Sequence, residues 1–120
     1  MIVGHVLFVI VLGAAAAAKT VIITGANRGI GLSTLKKLVL SNKLGESDKW
    51  DIVMACRSPE LAQKALSKVS LGDTKVDIQQ LDLADLNSIK SFASTWKGKS
   101  IDCLALNAGI QPSKYNFMQT

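Results

Sequence analysis

Cysteine is scarce. The 120 residues hold two, Cys56 and Cys103, too few to staple a disulfide-framed fold. Each falls near the end of an apolar strand candidate, and both read as free, buried thiols. Aromatic residues are also few, at 5%. The net charge of +5 and pI near 9.4 would suit nucleic acid, but the Lys and Arg residues are scattered and have no interleaved aromatics on which bases could stack. Nucleic acid is therefore excluded as a partner. Pairs such as Lys36-Lys37 read as a solvated helix face. Internal repeats and low-complexity linkers are absent, apart from one alanine tract.

The first eighteen residues lack Lys, Arg, Asp and Glu altogether. They also lack the basic start that opens most signal peptides. Ile2 to Leu12 is an apolar core, and Gly13 to Ala18 is a small-residue tract suited to cleavage. Residues 1–18 read as a signal peptide or short membrane anchor, which implies endomembrane or membrane association. The alternative is the first part of a plastid address. The run barely reaches the length of a spanning helix.

What is present is an apolar content of 48%, which excludes a disordered chain, and enough length for one core. The richest stretch is Thr20 to Gly31. Thr20-Val21-Ile22-Ile23 has the β-branched composition of a buried parallel strand. Glycines follow at 25, 29 and 31, and an apolar helical pattern starts at once with Leu32, Leu35, Leu38 and Val39. Strand, glycine turn and helix form a phosphate cradle. Glycine lets the backbone approach a ligand, and the first-turn amides and the helix dipole favour an anion there. The spacing Gly-x-x-x-Gly-x-Gly differs from the older dinucleotide fingerprint. A Walker loop is excluded, because Leu32 and Ser33 follow Gly31 where Lys and Ser/Thr are needed.

The remainder alternates. A helix is predicted from Gly29 to about Ser41, then a loop over Asn42 to Lys49. A second strand runs Trp50 to Ala55 and ends in Cys56-Arg57. Ser58-Pro59-Glu60 starts a helix with Ser as cap and Pro at the first position, and Leu61, Ala65, Leu66 and Val69 form its apolar face. Lys75 to Leu81 is a third strand. Asp85 caps a third helix carrying Leu86, Ile89, Phe92, Ala93 and Trp96. Ile101 to Leu106 is a fourth strand, apolar at five of six positions. Such alternation predicts an α/β fold with a parallel sheet.

Thr24-Gly25-x-x-x-Gly29-Ile30-Gly31 resembles the signature of the short-chain dehydrogenase/reductases, and the likeness extends over nearly all of Lys19 to Gly109. It implies a Rossmann-type three-layer sandwich with sheet order 3-2-1-4, residues 19–120 being the N-terminal part of a truncated NAD(P)-binding domain. In that order the strands of the two cysteines are separated by the first strand, and two spacings of about 4.8 Å exceed disulfide reach. The resemblance implies a cofactor site of Gly25, Asn27, Arg28, Gly29, Ile30 and Gly31 on the pyrophosphate. Arg57, where an acidic residue would select NAD, points with Arg28 and Ser58 to the 2′-phosphate of NADP(H). Asp82 and Leu83 would meet the adenine, with a capping role as the other reading of Asp82. Asn107, Ala108 and Gly109 would run beside the ribose, Leu106 replacing the family's first Asn.

Within the family, Met54-Ala55-Cys56-Arg57 leans to light-dependent protochlorophyllide reductases, and Asn107-Ala108-Gly109 to retinol-dehydrogenase-like reductases. The implied activity is hydride transfer to a carbonyl or conjugated double bond of an apolar substrate. A non-catalytic nucleotide-binding fragment or sensor is the alternative. The family's Tyr-x-x-x-Lys pair is missing: Tyr115 has Gln119 four residues on and comes too soon after Gly109, and Ser113 has no motif around it. No catalytic residue and no metal ligand is assigned, and the chain reads as a fragment.

Overall fold

The computed structural model describes residues 17–45 and 48–108. Gly109, Ser113 and Tyr115 and nearly all of the proposed leader, residues 1–16, lie outside them. Four strands form one parallel sheet: β1 (Lys19–Thr24), β2 (Trp50–Cys56), β3 (Val76–Gln80) and β4 (Cys103–Ala105). Their spatial order is β3-β2-β1-β4, as the resemblance implied. Thr20 pairs with Asp51 and Ile23 with Met54, while Ile22 pairs with Leu104.

Three helices cross over between the strands: α1 (Gly29–Leu44), α2 (Pro59–Leu66) and α3 (Leu86–Thr95). The first two crossovers step the same way across the sheet, so right-handedness puts α1 and α2 on one face. Leu35 and Val39 of α1 and Ala62 and Leu66 of α2 accordingly join one buried cluster with Val21, Ile23, Ile52, Met54 and Cys56. The third crossover steps back past β2 and β1, so α3 lies on the other face. Ile89, Phe92 and Trp96 pack there on Ile22, Val53, Ala55 and Leu81. Burying a side chain such as Leu35, which has no exposed surface, contributes about 1.5–3 kcal/mol.

Local chemistry sets the helix starts. The Ser58 hydroxyl accepts from the Leu61 amide at 3.3 Å, with Pro59 at the first position. The Asp85 carboxylate accepts from the Asn87 amide at 2.9 Å. The Trp96 indole donates to Gln79 at 3.0 Å, pinning the end of α3 to β3.

Several sequence expectations are corrected. α1 continues past Ser41 to Leu44, where Gly45, in a left-handed conformation with φ 65, caps it. Asn42 is thus helical, and its side chain explains why a polar run continues the helix. It accepts from the Trp50 amide, donates to the Trp50 carbonyl, both at 2.9 Å, and donates to Thr74 at 3.0 Å. In α2 the sheet-facing residue is Ala62, while Leu61 is 57% exposed. The 62/66 spacing keeps Ala62 and Leu66 on the sheet, and Leu61 sits about 100° round from Ala62. Leu86 at the start of α3 is likewise exposed.

β4 is shorter than predicted. Three residues pair, and Leu104 is 51% exposed. Its apolar sequence is that of an interior strand, but among the described residues it has a neighbour on one side only. For the same reason Cys103 is exposed, not buried as expected, while Cys56 is buried. One thiol is therefore expected to react with an aromatic disulfide reagent within seconds to minutes, and the second only on unfolding. Burial raises the Cys56 thiol's pKa, against opposing hydrogen bonds from the Ala26 and Asn27 amides. It thus presents little thiolate at neutral pH. Absorbance of the released thiolate counts the equivalents, and two fast equivalents would place Cys56 at the surface. Among the described residues no helix is long and apolar enough to cross a membrane.

Candidate functional site

Because all four strands are parallel, the residues just past each strand gather at one edge of the sheet. These are Gly25 to Arg28, Arg57-Ser58, Asp82-Leu83 and Leu106 to Ala108. Every described residue predicted for the site lies there. The glycine turn begins where the Gly25 amide donates to the Ala55 carbonyl at 2.9 Å, the last rung between β1 and β2.

Two glycines are demanded by close approach. A Cβ on Gly31 would lie 2.5 Å from the Gly25 carbonyl oxygen, 2.7 Å from the Asn107 side-chain nitrogen and 2.9 Å from the Ala26 Cα. Gly25 has φ 65 and would put a Cβ 2.9 Å from the Ala108 Cα. Gly29 also has positive φ but open space around it. The turn is therefore folded closely on its own backbone and against Asn107 and Ala108.

Its helix end is open. α2 and α3 have their first amides capped by Ser58 and Asp85, but Arg28 precedes α1 in extended conformation with no side-chain cap, and no acidic residue lies in the first turn. Unpartnered amides at a helix start face an anion favourably. This cradle fits a pyrophosphate.

Thr24 is the residue that sequence reasoning passed over. It is the buried polar side chain of the described core. Its hydroxyl donates to the Ala105 carbonyl at 3.3 Å and accepts from the amides of Asn107 at 3.0 Å and Ala108 at 2.9 Å. Asn107 answers with side-chain hydrogen bonds to the carbonyls of Thr24 at 3.3 Å and Gly25 at 3.5 Å. The end of β4 is thereby locked onto the glycine turn. Thr24 stands in the signature, but nothing local signals its role, because its partners are more than eighty positions away.

The other predicted residues are placed as follows. Arg28 and Arg57 are exposed, and Asn27 is half-buried. Ser58 has its oxygen engaged as the α2 cap, leaving the O–H to donate outward. Asp82 does not cap α3. One of its carboxylate oxygens accepts from the Ala84 amide at 3.0 Å, closing a tight turn, and its own amide donates to Ser88 at 2.9 Å. Leu83 is exposed beside it, as are Ile30 and Leu106, the last at 78%. Among the described residues no group of three His, Cys, Asp or Glu side chains is placed to hold a metal ion.

A parallel 3-2-1-4 sheet with a glycine turn at its carboxyl edge defines a Rossmann-type dinucleotide-binding unit. Residues 19–119 match the short chain dehydrogenase family, and the chain belongs to it. It thus comes from a family of oxidoreductases whose cofactor is a nicotinamide dinucleotide. Among its relatives are the chloroplastic protochlorophyllide reductases of Cucumis sativus, 34% identical over 93 residues, and of Daucus carota, 37% identical over 93 residues. Each alignment covers 76% of this chain and 22% of the relative. The chain thus spans about a fifth of the length of the curated relatives it matches. Among solved structures, a short-chain type dehydrogenase/reductase from Mycobacterium marinum is similar with a TM-score of 0.58 and 25% identity, over 79% of this chain and 36% of the other. A metagenomic short-chain oxidoreductase in complex with NADP shares the fold with a TM-score of 0.57 and 24% identity, over 79% of this chain and 41% of the other.

Proposed function

We propose that this chain is the NADP(H)-binding portion of a short-chain oxidoreductase that transfers hydride to a carbonyl or conjugated double bond of an apolar substrate. The observation that carries the reading is the tight glycine cradle of Gly25 and Gly31 at the uncapped start of α1, with Arg57 rather than an acidic residue just past β2. Gly29, Ile30 and Gly31 would offer amides to the pyrophosphate. Arg28 and Arg57, with the Ser58 hydroxyl, would take the ribose 2′-phosphate, and Asp82 and Leu83 would bound the adenine. Asn107 and Ala108, locked by Thr24, would border the ribose. NADPH, when bound, supplies the hydride, and the proton relay falls to no residue assigned in this chain. The relatives named as protochlorophyllide reductases support a conjugated double bond as the target and a plastid as the location. An endomembrane site through residues 1–18 is the other reading.

Arg57→Asp tests the cofactor assignment. Losing one charge-assisted hydrogen bond costs about 1.5–3 kcal/mol. NADP(H) affinity is therefore expected to fall at least about tenfold, while NAD(H) affinity holds or rises. Fluorescence titration of the whole protein with both reduced cofactors reads the change. An unchanged preference would show Arg57 pointing into solvent. Consumption of NADPH by the whole protein with a panel of carbonyl and conjugated substrates separates the oxidoreductase from a non-catalytic nucleotide sensor, which would bind without turnover.

A further inference from the structure

Beyond Leu81 the chains that leave β2 and β3 part. The last rung between them is the Leu81 amide on the Cys56 carbonyl at 2.9 Å. The Ser58 carbonyl is taken by the Ala62 amide at 3.1 Å, so one chain turns into α2 on one face while the other runs to α3 on the opposite face. Asp82 forms the wall on the β3 side, and it is tied at three points. Its carbonyl accepts from the Asp85 amide at 3.1 Å. Its carboxylate oxygen Oδ1 accepts from the Ala84 amide at 3.0 Å. Its amide donates to the Ser88 hydroxyl at 2.9 Å. The other carboxylate oxygen, Oδ2, makes no hydrogen bond or ion pair among the described residues.

The first two ties are local, as in many turns opened by Asp. The Ser88 tie is not. Ser88 is the third residue of α3, where a capping-box side chain would reach back to the amide of the cap residue. It passes over that cap, Asp85, and serves an amide six positions back. The helix start does not depend on it, because the Asp85 carboxylate accepts from the Asn87 amide at 2.9 Å. Ser88 is half-buried. It stands next to Ile89 and one turn before Phe92, which pack with Trp96 on Ile22, Val53, Ala55 and Leu81. The Trp96 indole ties the far end of α3 to Gln79. The hydroxyl is thus carried by a helix anchored along its length, and through it the helix fixes where Asp82 and its unpartnered oxygen stand.

We infer that Ser88 is a positioning residue for base recognition, holding Asp82 so that Oδ2 meets the amino group of the cofactor's purine. The inference rests on the nucleotide reading above, in which Asp82 borders the adenine. Adenine carries an amino group, a donor, where hypoxanthine carries a carbonyl, an acceptor. An ionised carboxylate only accepts, so a firmly held Asp82 favours adenine and opposes hypoxanthine. A carboxylate whose turn has come loose loses that distinction, because recognition needs the polar group fixed by its supporting shell.

Fluorescence titration of the whole protein with NADPH and with its deamino form, in which hypoxanthine replaces adenine, tests it. Wild type is expected to bind NADPH at least about tenfold more tightly, since one charge-assisted hydrogen bond is at stake. Asp82→Ala is expected to erase that ratio. Ser88→Ala is expected to reduce it to about threefold or less, while the ratio of NADPH to NADH affinity, set at Arg57, stays as it was. Ser88→Thr keeps the hydroxyl and is expected to keep the preference. Ser88→Cys puts a weak acceptor in the same place and carries the test where the alanine variant unfolds, with a ratio expected below that of wild type. A serine that only supports the fold would weaken both cofactors equally and lower the melting temperature, and that result would overturn the inference. So would a ratio lost in Asp82→Ala but kept in Ser88→Ala. A wild-type protein that binds both cofactors alike would overturn the Asp82–adenine contact and the inference with it. One that binds neither would overturn the nucleotide reading and both claims built on it.

Discussion

Gly31→Ala is expected to weaken cofactor binding about tenfold to a hundredfold. One methyl group would be driven against three atoms at once: the Gly25 carbonyl oxygen, the Asn107 side-chain nitrogen and the Ala26 Cα, all within 2.9 Å. Two of the three belong to backbone of the turn itself, so no side-chain rotation relieves the contact. The turn must open, and the amides aimed at the pyrophosphate move with it. Inserting a methyl into a closed fit costs about 1–3 kcal/mol, an affinity loss of about tenfold to a hundredfold. Gly29→Ala is the contrast. Its Cβ meets nothing within 4 Å, so its cost is confined to the positive φ, about 1–2 kcal/mol. Titration of both variants with NADPH, each with a thermal melt, gives the order. Gly31→Ala binding like wild type would show that the turn is looser than its contacts imply.

Thr24→Val is expected to destabilise the protein and the site together. Valine keeps the shape of threonine, so packing against the sheet is retained while the hydroxyl is lost. That hydroxyl serves one carbonyl and two amides. The Asn107 amide retains the Ala105 carbonyl at 3.0 Å, whereas the Ala108 amide loses the partner it has. The Ala108 amide is only part-buried, so the loss is that of the hydrogen bonds themselves, about 0.5–1.5 kcal/mol each; a fall in melting temperature is expected, with weakened NADPH binding. Thr24→Ser keeps the hydroxyl and is expected to recover most of both. A valine variant that melts and binds like wild type would mean that water replaces the hydroxyl, and the lock between β4 and the glycine turn would carry no weight.

The start of α2 shows how far local sequence reaches. Ser58, Pro59 and Glu60 lie within one turn of the amides they serve, so cap and start are legible from three letters. The same holds for Asp85. Val76 and Ile78 alternate because they face the first cluster, and period two survives translation into structure. The β-branched run before Gly25 similarly marks a strand covered on both faces, as the full burial of Ile22 and Ile23 confirms. Asn42 shows where such reasoning stops. Polar letters after Ser41 look like a loop, and the partners that make them helical, Trp50 and Thr74, lie 8 and 32 positions away.

The sequence by itself determined the element order, the right-handed parallel sheet and the glycine turn, because each follows from periodicity or from contacts a few residues long. Tertiary structure decided which glycine is sterically irreplaceable. Gly29 and Gly31 look alike as letters, and it is the fold of the turn back onto Gly25 and Ala26, with the Asn107 side chain beside it, that separates them. It decided that Ala62 and not Leu61 faces the sheet, and that Cys103 meets solvent while Cys56 lies under the glycine turn. It also gave Thr24 its partners more than eighty residues away. These outcomes depend on which surfaces meet once the strands are ordered, and on how many neighbours each strand finds, information that no short window of the chain contains.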